Sequence, residues 1–221
     1  MTPEKICLGY WKIRGKGEAL RMLLHYAEID FNDVMYECGD APDFDRSAWL
    51  DVKFTLGLDF PNLPYLIDGE TKLTQSITIL HYLSVKTGLV PKSQTEFSRC
   101  DMLDHVGLDL ALLSSRLFYS SPADFAANKP ATVNKAKEFI QQFSDALGNR
   151  KFFAGEDISG TDFWLFECID RFVKLQPDIV EQENIKDFRK RIMSLPTLQK
   201  YFSAEDSSRN LPLNNKRATF K

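Results

Sequence analysis

Cysteine is scarce in this sequence: four residues in 221, with Cys7, Cys38, Cys100 and Cys168 widely scattered and no pair two residues apart. That speaks against a zinc ribbon or a CxxC redox site. Histidine is scarcer still, and His25, His81 and His105 show no ligand spacing, so they read as surface or satisfied core groups and no metal is expected. No apolar run approaches the roughly 18 residues that would suggest a bilayer span, and Met1-Thr2-Pro3-Glu4-Lys5 lacks an apolar signal core. The expected compartment is therefore the cytosol, with no membrane partner. Basic excess is also missing: 28 Lys and Arg against 31 Asp and Glu give a net charge of −3, so nucleic acid is not an expected partner. Internal repeats and low-complexity tracts are absent.

What is present is an ordinary globular mix, 43% hydrophobic and 27% charged. A chain of this length buries about 70% of its unfolded surface, so it forms a core without disulfides and fits one large or two small domains.

The first third alternates strand and helix signals. Ile6, Leu8 and Tyr10 alternate with Cys7, Gly9 and Trp11 as in a strand, and Arg14-Gly15-Lys16-Gly17 makes a turn. Leu20, Leu23, Leu24 and Ala27 recur at helical steps, and residues 31–37 read as a second strand, completing a βαβ unit. Residues 38–60 are polar and irregular, with one helical turn around residues 47–52; so long a loop inside a domain is usually functional or mobile. Asp68-Gly69 between two apolar runs predicts a tight hairpin. Ser76 is expected to cap a helix carrying Ile79, Leu80 and Leu83.

Beyond Gly88 the pattern is wholly helical. Ser93-Gln94-Thr95-Glu96 is a capping box, and apolar positions from Phe97 to Leu117 predict a long helix ending at Pro122. Pro130 marks an expected helix start, followed by Val133, Ala136, Ile140, Phe143 and Leu147 up to Gly148. Ser159-Gly160-Thr161-Asp162 is a carboxylate variant of the box, with Ile158 set to staple Phe163. Ile185, Phe188 and Ile192 define another helix, and Leu198, Tyr201 and Phe202 a last short one.

The order βαβ, crossover, X-Pro, hairpin, helix matches a thioredoxin-like domain. The predicted fold is thus an α/β N-terminal thioredoxin-like domain (βαβ-α-ββα) over residues 1–87 and an all-α C-terminal helical domain over residues 93–221. Redox members of that fold place a cysteine pair at the first helix, whereas here the strand runs into Tyr10-Trp11-Lys12, so disulfide exchange lacks its nucleophile.

Three segments carry a family resemblance: Tyr10-Trp11-Lys12-Ile13-Arg14-Gly15, Gly39-Asp40-Ala41-Pro42-Asp43-Phe44-Asp45-Arg46-Ser47, and Leu56-Gly57-Leu58-Asp59-Phe60-Pro61-Asn62-Leu63-Pro64-Tyr65-Leu66-Ile67-Asp68-Gly69. Together with Thr74-Gln75-Ser76 and, more loosely, Phe153-Ala154-Gly155 and residues 158–163, they resemble cytosolic glutathione transferases, most closely the mu class. The resemblance spans nearly the whole chain, and the helical half agrees mainly in caps and spacing.

It implies a glutathione site in the N-terminal domain and an electrophile site between domains. Tyr10 is the implied catalytic residue, its phenol donating a hydrogen bond to the glutathione sulfur; without its neighbours it also reads as a packed strand aromatic. Trp11 is implied to flank glutathione, and Arg46, Trp49 and Lys53 match positions holding the glycine carboxylate, although alone the two cations also read as a solvated face. Asn62 and the Leu63 backbone would pair with the cysteinyl segment beside a cis bond before Pro64, and Gln75 and Ser76 would hold the γ-glutamyl carboxylate. Asp109 matches an acid reaching in from the partner subunit of a homodimer, and Phe60 matches the aromatic that keys the dimer interface.

Trp11, Ile13, Lys16, Leu108, Leu112, Ser115 and Tyr119 are the implied electrophile site, and core packing remains an equal reading of the two leucines. Lys16 and Ser115 depart from the apolar mu pattern, as does the polar tail Asn214-Asn215-Lys216-Arg217, so the pocket is expected to be wetter or to suit acidic compounds. The implied activity is conjugation of glutathione, as co-substrate and with no cofactor, to small hydrophobic electrophiles. A non-catalytic ligand carrier and a glutathione-dependent isomerase or peroxidase are the alternatives.

Overall fold

The computed structural model describes residues 5–221, so the polar opening Met1-Thr2-Pro3-Glu4 lies outside the described residues. The alternating start becomes strand β1 (Ile6–Trp11), with Ile6, Leu8 and Tyr10 all buried. Helix α1 (Glu18–Tyr26) buries its leucine stripe, and β2 (Phe31–Tyr36) returns parallel to β1. A single-turn α2 (Ser47–Leu50) interrupts the irregular crossover. Strands β3 (Tyr65–Asp68) and β4 (Thr71–Thr74) form the expected hairpin, in which Gly69 takes φ 58°, a left-handed value that a Cβ would disfavour. The sheet order is β2-β1-β3-β4, with β3 antiparallel to both its neighbours. Helix α3 (Ser76–Thr87) closes this half, and the peptides before Pro42 and Pro64 are cis.

An ion pair reinforces the βαβ unit. Arg21 of α1 is fully buried, places Nε 2.7 Å from Asp33 of β2, and donates from Nη1 to the Ile13 carbonyl at 2.8 Å. The loop leaving β1 is thereby tied to the helix that follows it.

In the helical half, the Ser93–Glu96 box caps α4 (Gln94–Phe118) as its residues demand, each satisfying a backbone amide of the other. The next boundary differs from expectation. Helix α5 (Pro122–Leu147) begins at Pro122 and runs through Pro130 instead of starting there. Ser121 caps the helix through the Asp124 amide, and Pro122 takes the first turn, where a missing N–H costs nothing. The intervening Ala123, Ala126 and Ala127 are strong helix formers, enough to carry the helix past the one hydrogen bond that Pro130 removes.

Helix α6 (Gly160–Leu175) is the centre of the molecule, buried along nearly its whole length and packed against both α1 and α4. Its Asp162 accepts from the Ser159 amide and the Phe153 amide, each at 2.8 Å. Helices α7 (Glu183–Met193) and α8 (Pro196–Ser203) and a 3₁₀ turn (Ser208–Asn210) complete the order. The tail then doubles back: the Arg14 and Gly15 amides donate to the carbonyls of Pro212 and Leu213 at 2.9 and 3.1 Å, and the Thr219 amide to that of Phe118 at 2.8 Å.

Candidate active site

Tyr10 sits near the end of β1, 7% exposed, beneath the turn that follows the strand. Its hydroxyl accepts a 3.0 Å hydrogen bond from the Lys16 amide. Burial pushes the phenol's pKa up, and the Lys16 amide and the charges of Arg171 and Arg21 pull against that shift. The group is therefore a neutral O–H at physiological pH, able to donate and unable to act as a base. The turn lies so close that a Cβ on Gly15 would stand 2.7 Å from the hydroxyl, and one on Gly17 2.7 Å from ring atom Cδ1.

Trp49 is buried, stacked 6.0 Å from Tyr65 and edge-on to Tyr36 at 5.4 Å; Trp11 is half-buried against the same cluster. Arg46 is exposed just before α2, while the Lys53 ammonium lies 5.1 Å over the Phe54 ring. The Leu63 amide donates to the Asn62 Oδ1 at 2.9 Å, next to the buried, cis-linked Pro64.

The expectation that Ser76 caps α3 is corrected. Ser76 is the first helical residue, and Gln75 takes the capping position at φ 73° without a side-chain cap, so no Ser, Asp or Asn oxygen covers the leading amides. A positive φ at a non-glycine residue is strained, and strain of this kind gathers at ligand sites. Gln75 and Ser76 open into a cavity of about 400 Å³, lined also by Lys16, Asp101, Leu108 and Leu112.

A second cavity, about 230 Å³, lies between Trp11, Ile13 and Cys38 on one side and the tail residues Pro212, Asn214 and Lys216 on the other. Tyr119 borders the tail, its hydroxyl accepting from the Asn215 amide at 3.2 Å, and Lys216 pairs with Asp40 at 2.7 Å. The polar tail thus folds over the pocket through hydrogen bonds and an ion pair. Ser115 lies deeper, its Oγ bonded to the Ala111 carbonyl and to Arg171. Asp109 is exposed on α4, one turn beyond His105, which faces the 400 Å³ cavity; within this one chain no described contact joins it to Tyr10. Phe60 is 79% exposed, with Phe54 78% exposed on the same loop.

A larger cavity than either, about 570 Å³, opens among His25, Phe31, Thr197 and Tyr201 and contains none of these groups. Chemistry, rather than size, picks out the Tyr10 region. Residues that sequence reasoning missed are Arg171 and Cys38. Arg171 shares α6 with Glu167, Asp170 and Lys174, and nothing in its sequence context sets it apart.

Two family models match the chain. One described as the glutathione S-transferase N-terminal domain matches residues 7–85, and one described as the C-terminal domain matches residues 109–205. The chain is 43% identical over 206 residues to glutathione S-transferase Mu 1 of Bos taurus, covering 93% of this chain and 92% of that protein. It is 41% identical to glutathione S-transferase Mu 4 of Homo sapiens, over 93% and 92% of the two chains. Among solved structures, the glutathione S-transferase Blo t 8 superposes at a TM-score of 0.87 with 30% identity, covering 96% of this chain and 98% of that one.

Proposed function

The chain belongs to the glutathione S-transferase family, and from that premise we propose that Tyr10 ionises bound glutathione for attack on an electrophilic carbon. The protein is a transferase conjugating glutathione, its relatives being of the mu class. The observation that carries the role of Tyr10 is its buried neutral hydroxyl, already accepting from Lys16 and so left with its own proton to donate.

A free thiol has a pKa near 8.5, and its thiolate is the nucleophile. Lowering that pKa by about two units needs roughly 2.7 kcal/mol, and one hydrogen bond to a charged group supplies about 1.5–3 kcal/mol. The sulfur then attacks carbon, forming a C–S bond as the leaving halide departs with its electron pair, or as the added pair is protonated after conjugate addition.

Arg46, Trp49 and Lys53 serve the glycine carboxylate, Asn62, Leu63 and Pro64 the cysteinyl segment, and Gln75 and Ser76 the γ-glutamyl end. The uncapped start of α3 supports that last role, since free amides at a helix start favour a carboxylate. Residues 1–87 form the glutathione-binding domain and residues 93–221 the domain that walls the electrophile pocket. The working unit is a homodimer, with Phe60 keying the interface and the partner subunit's Asp109 reaching the γ-glutamyl amine; the exposure of Phe60 on a loop supports this. Among the described residues no helix is long and apolar enough to cross a membrane, and we infer a cytosolic protein that detoxifies electrophiles.

The test is retention on immobilised glutathione, sizing of the eluted species, and turnover of a chromogenic electrophile measured beside ligand affinity. Retention, a dimer and turnover are expected. Tight binding without conjugation would make the protein a carrier, and a monomer that ignores the resin would remove the reading altogether.

A further inference from the structure

Two cations stand beside the Tyr10 site without an acid to answer them. Arg171 of α6 is 3% exposed, yet its contacts are neutral: Nη2 lies 3.3 Å from Ser115 Oγ and 3.4 Å from Asn214 Oδ1, Cζ lies 5.7 Å over the Phe118 ring, and Nε has no hydrogen-bond partner. The other fully buried arginines differ, Arg14 pairing with Glu167 and Asp170, and Arg21 with Asp33. Lys16, half-buried, lines the 400 Å³ cavity beside Leu108 and Leu112. Among the described residues neither Lys16 nor Arg171 makes an ion pair. The carboxylate lining that cavity, Asp101, is held between His81 at 3.8 Å and His105 at 3.7 Å.

A buried charge without a counter-ion is costly, and it is retained where an anion completes it. Burial and the nearby Arg171 push the Lys16 ammonium's pKa down, while the Arg171 charge also reaches the Tyr10 and Tyr119 phenols, so its field covers both hydroxyls of the site.

We propose that Lys16 and Arg171 make this electrophile pocket selective for anionic electrophiles, compounds bearing a carboxylate or sulfonate on the ring or chain that is attacked. Lys16 supplies the contact from the wall of the 400 Å³ cavity, where Gln75 and Ser76 take the γ-glutamyl carboxylate and the surface beside Leu108 and Leu112 takes the electrophile. Arg171, held under Ser115, supplies a fixed positive field in a low-dielectric setting. The inference rests on Tyr10 being the thiolate-forming residue and names the substrate class of that same site.

The experiment compares two chloronitrobenzenes attacked by the same displacement of chloride, neutral 1-chloro-2,4-dinitrobenzene and anionic 4-chloro-3-nitrobenzoate, at saturating glutathione. Lys16→Met and Arg171→Met are each expected to lower the ratio of kcat/KM for the benzoate over the neutral compound by about tenfold, the scale of one lost bond to a charged group. Arg171→Lys is expected to keep most of the ratio, and added salt to lower it in the parent protein. If Arg171→Met fails to fold, Lys16→Met and the salt series decide. An unchanged ratio with neutral turnover intact would overturn the proposal, as would a rise confined to KM for glutathione, which would assign both cations to the co-substrate. No turnover of the neutral compound by the parent protein would instead defeat the transferase reading of Tyr10.

Discussion

The backbone amide of Lys16 donates to the hydroxyl of Tyr10 over 3.0 Å, from a turn held in place by the chain's own tail. Because that oxygen accepts from behind, its proton is free for a sulfur placed in front. Tyr10→Phe removes the donor and leaves the ring packing intact. It is expected to fold normally and to lose about 2 kcal/mol of thiolate stabilisation, roughly thirtyfold in kcat/KM at neutral pH. The loss should shrink as pH rises toward the free thiol's pKa near 8.5, where ionisation no longer needs help. Unchanged activity with a chromogenic electrophile would remove Tyr10 from its role.

Gly17 lies against the same ring, nearer its Cγ end. At φ −81° its backbone suits any residue, so the constraint is purely one of space: a Cβ would lie 2.7 Å from Tyr10 Cδ1. Gly17→Ala is expected to destabilise by about 1–3 kcal/mol through overpacking. By tilting the phenol it should also cost at least tenfold in kcat, since misplacement of about 1 Å is worth up to a hundredfold. Parallel measurement of kcat and the thermal midpoint checks both effects, and a variant with native kcat would show that the ring position is not what matters.

Much of this was legible in the sequence because the deciding interactions are local. The Ser93–Glu96 box, the Asp68-Gly69 hairpin and the leucine stripe of α1 are specified by residues within one or two turns of each other. What was misjudged depends on the rest of the fold. Pro130 carries a helix-start signal, and only the propensity of the preceding alanines under a Pro122 start overrides it. Ser76 carries a cap signal, while the positive φ of Gln75 is imposed by the entry from β4. Arg171 and Ser115 are 56 residues apart, and no periodicity reveals that they meet.

His81 introduces a pH dependence in stability. Its Nε2 lies 2.9 Å from Oδ2 of buried Asp104, and that hydrogen bond raises the imidazole's pKa above the usual 6.5 despite partial burial. A histidine whose folded pKa is raised adds stability that is fully present below its unfolded value and is lost as pH rises through the folded one. The parent protein should therefore exceed His81→Asn by about 1–2 kcal/mol below pH ~6.5, with the gap narrowing above it. Thermal midpoints of both proteins across that range provide the measurement, and a gap that widened with pH would reverse the assignment.

Arg14 joins the active-site turn to the centre of the molecule. Its Nη2 lies 2.7 Å from both Glu167 Oε2 and Asp170 Oδ2, which Arg209 and Arg189 also hold, while its amide anchors the tail at Pro212. Burial pushes the Asp170 carboxyl up, but Arg209 and Arg14 outweigh it and hold the group well below the usual carboxylate range. A carboxyl with a depressed pKa adds stability present above its unfolded value and lost as pH falls through the folded one. Arg14→Met keeps the side chain's bulk and removes one cation from a buried network, so a destabilisation of about 3–5 kcal/mol is expected at neutral pH. Because part of it is the lost support for ionised Asp170, the difference from the parent should shrink as pH falls below about 4. Denaturant unfolding of both proteins at neutral and acidic pH separates the outcomes: a difference that is small, or equal at the two pH values, would mean that Arg209 and Arg189 suffice and that Arg14 does not bind the turn to α6.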